Sequence, residues 1–278
     1  MESEYPGVKE FESETVFELR AESRVSLCFS TLNPVLFPPG SLPDRNIVEI
    51  FGPYGTGKTL LITNLIANCI LDSDCGGCGC EAVFIDLDHH FSVIRLSEVL
   101  RKVFLIRDVD NVEERVENCL QRLRIFKCFG LNDFSRILYT LEMVLYQNQN
   151  IGILFIDSIS SFYWHVRSLD HFPVVIRDEN PVFTKIAGMI SRISKEHQVS
   201  FVISCQALLQ QPMSGSHFMG RLWQKLPTVR LVTGDLLVSN KRELKLEIRG
   251  SQSELLPDTE KNFEMTIQKD GIFIENVS

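Results

Sequence analysis

The chain has 278 residues, 44% of them hydrophobic, which is enough to bury a sizeable core, most simply that of one large α/β domain. Its net charge of −8 argues against strong unaided binding to nucleic acid, which needs clustered Lys and Arg. No apolar stretch is long enough to cross a membrane, and the acidic start Met1-Glu2-Ser3-Glu4 is unlike a signal peptide. The reading is therefore a soluble intracellular protein with no membrane partner, whose 8 cysteines are free thiols or metal ligands rather than disulfides.

Residues 1–46 carry no long periodic pattern. Val16 to Leu27 fits a short helix, and Pro34, Pro38, Pro39 and Pro43 make the next stretch an irregular lead-in. This segment is expected to be an arm or linker, not a separate helical domain, ahead of a single core over 47–278.

The core opens with a strand, Asn46-Ile47-Val48-Glu49-Ile50-Phe51, and a helix over Leu60–Ile70. Between them Gly52-Pro53-Tyr54-Gly55-Thr56-Gly57-Lys58-Thr59 fits the eight-residue phosphate-loop pattern at every fixed position. Glycines let the backbone wrap a phosphate with its N–H groups inward, and the helix start adds partial positive charge. Lys58 would neutralise the terminal phosphates and the Thr59 hydroxyl would complete a Mg²⁺ shell. The expected cofactors are ATP and Mg²⁺.

Further along, Ala82–Asp86 reads as a strand, followed by a helix with Phe91, Ile94, Leu96 and Leu100 on its apolar side. A second helix runs through Val112, Val116, Leu120 and Leu123, and a strand near Ile125–Phe129. Asn132 or Asp133 would cap the next helix, with Leu138, Leu141 and Leu145 inward. The apolar strand Ile151–Asp157 ends in a carboxylate. A helix through Phe183, Ile186, Ile190 and Ile193 then leads to the strand Val199–Ile203. Such alternation with near-continuous apolar strands predicts a mainly parallel sheet covered on both faces. After Thr228, short alternating strands near Val229–Val232, Leu244–Ile248 and Phe263–Ile267 predict an antiparallel or mixed extension. The basic stretch Arg221, Lys225, Arg230, Lys241, Arg242, Lys245 and Arg249 reads as the solvated faces of those strands.

Parallel strands deliver their last residues to the carboxyl edge of the sheet, where ligands bind. Asp157 is placed there to hold Mg²⁺ through water. Asp86 and Asp88 end the strand after the phosphate-loop helix, where a carboxylate can orient the water that attacks a γ-phosphate. Gln206 ends another strand and is suited to sensing that phosphate.

Phosphate loop, acid after the next strand, Asp157 strand and strand-end Gln206 stand in the order found in RecA-type recombinases. The resemblance covers roughly residues 46–275. The runs Phe84–Phe91 and Asp157–Trp164, with Gly220-Arg221-Leu222-Trp223 and Arg230-Leu231, look most like the eukaryotic recombinase paralogues of that family. Carried over, the resemblance implies nucleotide on Gly52–Thr59, Mg²⁺ at Thr59 and Asp157, Asp88 as the catalytic acid's counterpart and Gln206 as the switch glutamine. It also implies a nuclear protein of homologous DNA repair. Such a subunit would assemble with other RecA-like paralogues and meet single-stranded or branched DNA mainly through that complex.

The chain departs from the family pattern in ways that bear on activity. Glu is usual where Asp88 stands, and a carboxylate about 1 Å out of place can cost on the order of a hundredfold in rate. Cys205 stands where Asn is common and Leu60 where Gln is common, suggesting a relaxed switch. The two DNA loops should lie near Trp164–Asn180 and Ala207–Gly220. The first mixes Arg167 and Arg177 with Asp170, Asp178 and Glu179; the second has no Lys or Arg, and its His217, Phe218 and Met219 read as packing residues. In the arm, Phe17–Ala21 is a candidate docking element for a neighbour or for the chain's own core.

These features point to a non-motor assembly subunit with weak or absent ATP hydrolysis. The alternatives are an active DNA-dependent ATPase completed by a partner in trans, and a P-loop small-molecule kinase, which would want an Arg-rich lid not evident after Asp157. Cys75, Cys78 and Cys80 lie within six residues. Structural zinc sites normally pair two separated knuckles, so this stretch reads as a flexible thiol-bearing loop rather than a zinc site.

Overall fold

A computed structural model of the chain describes residues 29–39, 42, 46–163, 181–207, 219–238, 241–248, 259–268 and 271–277. A short helix α1 (Phe29–Leu32) leads to β1 (Ile47–Gly52), α2 (Lys58–Ile70) and β2 (Glu81–Asp86). Next come α3 (Val93–Ile106), α4 (Val112–Gln121), β3 (Leu123–Lys127), α5 (Leu131–Gln147) and β4 (Ile151–Asp157). The chain continues through α6 (Pro181–His197), β5 (Ser200–Gln206) and α7 (Arg221–Lys225). It finishes in β6 (Val229–Val238), β7 (Lys241–Ile248), β8 (Thr259–Gln268) and β9 (Gly271–Asn276).

All nine strands form one sheet in the order β3-β2-β4-β5-β1-β6-β7-β8-β9. It is parallel from β3 through β6 and antiparallel from β6 to β9. The central strands show why a period-2 element reads as a continuous apolar run. Ala82, Phe84, Ile153 and Phe155 enter the core under α2, α3 and α4; Val83, Ile85, Leu154 and Ile156 enter the core under α5, α6 and α7. Because both faces are covered, neither set can be polar. Phe29, Leu32, Leu36 and Phe37 are buried in the first of these cores, and the Leu32 carbonyl accepts from Asn68 Nδ2 at 2.7 Å, so residues 29–37 pack against α2.

Several local expectations need correction. Ile94 is 73% exposed; the buried side of α3 is Leu96, Val99, Leu100 and Phe104. Leu123 starts β3 instead of ending α4. Neither Asn132 nor Asp133 caps α5: Gly130 precedes its first residue, and Asp133 lies in the first turn, where it favours the helix dipole. The basic stretch is not simply a solvated face. Arg230 is ion-paired to buried Glu49, Lys241 to Glu264, and Lys245 to Glu247 and Glu260, while Arg242 is only 9% exposed. The expected helix over 16–27, the docking segment 17–21 and Arg249 lie outside the described residues, as do most of both expected DNA loops.

The loop bearing the three cysteines is folded back on the end of α2, which corrects its reading as flexible. Cys78 N donates to Asn68 O, Gly79 N to Leu71 O and Cys80 N to Cys69 O, at 2.8–3.1 Å. A Cβ on Gly77 would meet the Leu71 carbonyl at 2.2 Å, so only glycine fits that approach. Asp72 pins the loop from beneath, accepting from Arg115 and Arg122 at 2.6–2.9 Å. Cys75 and Cys80 are buried and Cys78 half-buried. Among the described residues, no three His, Cys, Asp or Glu side chains converge to hold a metal.

Candidate nucleotide site

The site begins with a backbone requirement. Between β1 and α2 the chain must reverse with its N–H groups turned inward, and Gly55 (φ +77°) and Gly57 (φ +92°) take the left-handed conformations this needs. Gly52 is needed for space: a Cβ there would lie 2.0 Å from Thr233 Oγ1 and 2.5 Å from the Thr233 carbonyl on β6. A Cβ on Gly57 would lie 2.7 Å from Ile267 Cδ1, so the antiparallel extension packs against the loop. The Thr56 hydroxyl donates to Pro53 O at 2.9 Å and contacts Thr233 Oγ1 at 2.7 Å, closing the turn. Tyr54 projects outward, 75% exposed.

Lys58 opens α2 and folds back over the loop, donating to Gly52 O at 3.0 Å and Pro53 O at 2.6 Å. Burial pushes its pKa down, while Cys205, Asp157 and Asp88 oppose that shift. The same interactions show that Lys58, Asp157 and Asp88 share one neighbourhood.

Sheet register delivers the other groups. Asp86 pairs with Asp157 across β2 and β4, and Gly52 with Gln206 across β1 and β5, so all four stand at the carboxyl edge. Asp157 is 1% exposed; its Oδ1 accepts from the Ser204 hydroxyl, which itself accepts from Ser158 N at 2.7 Å. Asp157 Oδ2 has no well-formed hydrogen bond, although the Thr59 hydroxyl is near enough to lower the carboxyl's pKa. Burial, with Asp86 and Asp88 adding repulsion, nonetheless leaves that pKa raised. A buried carboxylate oxygen without a partner, beside a hydroxyl and an ammonium, fits the hard-oxygen chemistry of Mg²⁺ on a phosphate.

Asp86 is 1% exposed, and its Oδ1 accepts from His89 N at 2.8 Å, holding the turn after β2. Asp88 is more open. One of its oxygens meets His90 Nδ1 at 3.0 Å and the other the Ser161 hydroxyl at 3.5 Å. Gln206 N donates to the Ser160 hydroxyl at 2.8 Å, and the next residue, Ala207, donates its N–H to Gly52 O at 2.9 Å. Gln206, the residue expected to be the switch, is thus tied by backbone to the phosphate loop and to the turn after Asp157. Cys205 is fully buried, and burial pushes its thiol pKa up. Met219, from the end of the second expected DNA loop, is also fully buried.

Sequence reasoning missed Ser204, Ser160 and Thr233, which fix the site by side-chain contacts to distant strands. It also missed Glu49. That carboxylate is fully buried in β1, where Trp223 Nε1 donates to it at 2.7 Å and Arg230 Nε at 2.6 Å. An acid in the middle of an apolar strand was the available signal, since a buried charge must find a partner.

Comparison with known proteins agrees with this geometry. The Rad51 family profile matches residues 26–272. The mouse DNA repair protein XRCC2 is 31% identical over 239 residues, 80% of this chain and 83% of that protein. The Arabidopsis thaliana DNA repair protein XRCC2 homolog is 27% identical over 168 residues, 47% of this chain and 45% of that protein. DNA repair protein RAD51 homolog 3 of Cricetulus griseus is 23% identical over 208 residues, 69% of this chain and 55% of that protein. With the profile spanning almost its whole length, on a RecA-like α/β core with a mainly parallel sheet, this chain belongs to the Rad51 family.

Proposed function

We propose that this chain, a Rad51-family paralogue of DNA repair by homologous recombination, works as a non-motor assembly subunit. It binds Mg-ATP weakly or statically at Gly52–Thr59 and Asp157, joins other RecA-like paralogues in the nucleus, and supports recombinase filaments on single-stranded DNA. DNA is met mainly through the complex, in keeping with the net charge of −8. The nucleotide core is 47–278, with the arm before it serving assembly.

The observation that carries this reading is the contrast between two carboxylates. Asp157 is buried and held by Ser204 with one oxygen left open, whereas the acid expected to drive hydrolysis is the shorter Asp88, already engaged by His90 and Ser161. Phosphoryl transfer depends on positioning, so binding outlasts turnover when only the water-orienting group is displaced.

The test combines affinity purification of the tagged chain from its own cells with ATPase assays. Stoichiometric recovery of RecA-like paralogues, retained in Lys58→Ala, with turnover far below that of a working recombinase is the expected result. Recovery of the chain alone, or recombinase-like turnover abolished by Lys58→Ala, would overturn it.

A further inference from the structure

The amino edge of the sheet, opposite the nucleotide site, carries a groove of about 830 Å³ between α6 and α7. Ile47, which opens β1, lies in its floor with Gln198 and Thr228, which stand just before β5 and β6. Gly188 and Lys195 line it from α6, and Leu222, Lys225 and Leu226 from α7; Leu222 is 45% exposed. Arg192, on the same wall, is ion-paired to Glu142 and Glu196. Among the described residues, neither Lys195 nor Lys225 has an ion pair.

Gly188 sets this groove apart. It is exposed inside α6, and a Cβ there would meet nothing within 4 Å. Glycine in a helix interior costs about 1 kcal/mol relative to alanine, so the fold itself gains nothing from it. A missing side chain on the wall of a groove instead lets another segment approach closely. The occupant that fits is partly apolar and acidic.

The chain's own first 28 residues have that chemistry. They hold seven Glu and no Asp against Lys9, Arg20 and Arg24, which is half of the net charge of −8. Read as a helix, their pattern aligns Phe17, Ala21 and Val25 with Glu14, Glu18 and Glu22 alongside. They are also tethered at the right end of the molecule. α2 starts at the carboxyl edge and runs back, so Asn68 in its last turn marks the amino edge, and the Leu32 carbonyl of α1 accepts from it. Twenty-eight residues reach at most about 90 Å, far more than passing from one face of a single sheet to the other requires. Such a tether holds a segment at an effective concentration of order millimolar, above that of a second copy in dilute solution.

We propose that the groove between α6 and α7 receives the chain's own arm, over residues 14–25, in the free protein. Phe17, Ala21 and Val25 lie over Leu222 and Leu226 beside Gly188, with the glutamates facing Lys195 and Lys225. Docked there, the arm is kept from other surfaces until assembly draws it away. The proposal does not depend on nucleotide binding.

The test measures hydrogen exchange of amides 14–25 in the full chain, without nucleotide, against a synthetic peptide of residues 1–28. Wild type is expected to exchange roughly tenfold more slowly than the peptide, at a rate independent of protein concentration. Gly188→Leu, which fills the groove, and the pair Lys195→Glu with Lys225→Glu should each return exchange to the peptide's rate while the melting temperature holds. Adding Glu14→Lys, Glu18→Lys and Glu22→Lys to the charge-reversed pair should restore the slowing. If Gly188→Leu fails to fold, the charge reversal and its rescue decide alone. Peptide-like exchange in wild type, or slowing that survives charge reversal of the groove, would overturn the proposal. Slowing that grows with protein concentration would also overturn it, making a second copy the source of the occupant.

Discussion

Glu49 and Arg230 stand opposite each other in neighbouring parallel strands, joined at 2.6 Å in a layer where Glu49 has no exposure at all. Trp223 completes the arrangement from α7, directly after the second expected DNA loop. The strand that leads into the phosphate loop is thereby clamped to the element just beyond that DNA loop.

Breaking the clamp from one side leaves a charge buried without its partner. Glu49→Ala is expected to destabilise the fold by about 3–5 kcal/mol in urea unfolding, and Arg230→Ala by a similar amount. The double replacement Glu49→Leu with Arg230→Met should cost much less than the sum, because no orphaned charge remains.

The approach of Gly52 to Thr233 leaves no room for a methyl group. Gly52→Ala should cost about 1–3 kcal/mol of stability and abolish the thermal shift produced by Mg-ATP. Adding Thr233→Ser should not rescue it, because the carbonyl of residue 233, at 2.5 Å from the added Cβ, is backbone.

Asp157 carries an ionisable group that burial makes costly to charge. Its folded pKa lies above the unfolded value, so ionisation weakens the free protein as pH rises through that interval. Asp157→Asn should therefore leave the free protein as stable or more stable at neutral pH while removing Mg²⁺-dependent nucleotide binding. Thermal melts with and without Mg-ATP check both halves; a Mg-ATP shift surviving in the variant would refute the assigned role.

Asp72 behaves in the opposite sense. Burial pushes its carboxyl pKa up, but hydrogen bonds and charge from Arg115 and Arg122 more than reverse this, and the net shift is downward. Its contribution is present above the ordinary carboxylate value of about 3.9 and is lost as pH falls through the lowered folded value. Asp72→Asn should cost about 1.5–3 kcal/mol at neutral pH, shrinking in strong acid, and should increase the reactivity of Cys75 and Cys80 toward a thiol reagent.

The parts of this protein legible in its residues are those whose chemistry is contiguous. Gly52–Thr59 needs its glycines, Lys58 and Thr59 in unbroken order, and the β4 run ending at Asp157 announces itself by apolar continuity and a terminal acid. Faces of helices are less secure: Ile94 and Leu96 both fit an apolar stripe, and only the packing of α3 against its neighbours exposes the first and buries the second. Pairings across the sheet were beyond local reading altogether. Thr56 meets Thr233 across 177 positions of sequence, Trp223 meets Glu49 across 174, and Ser204 meets Asp157 across 47. Such contacts depend on strand order and register, which are set by burial over the whole sheet. The phosphate loop was therefore determined by its own residues, while the strands behind it and the hydroxyls that orient Asp157 were placed by the tertiary structure.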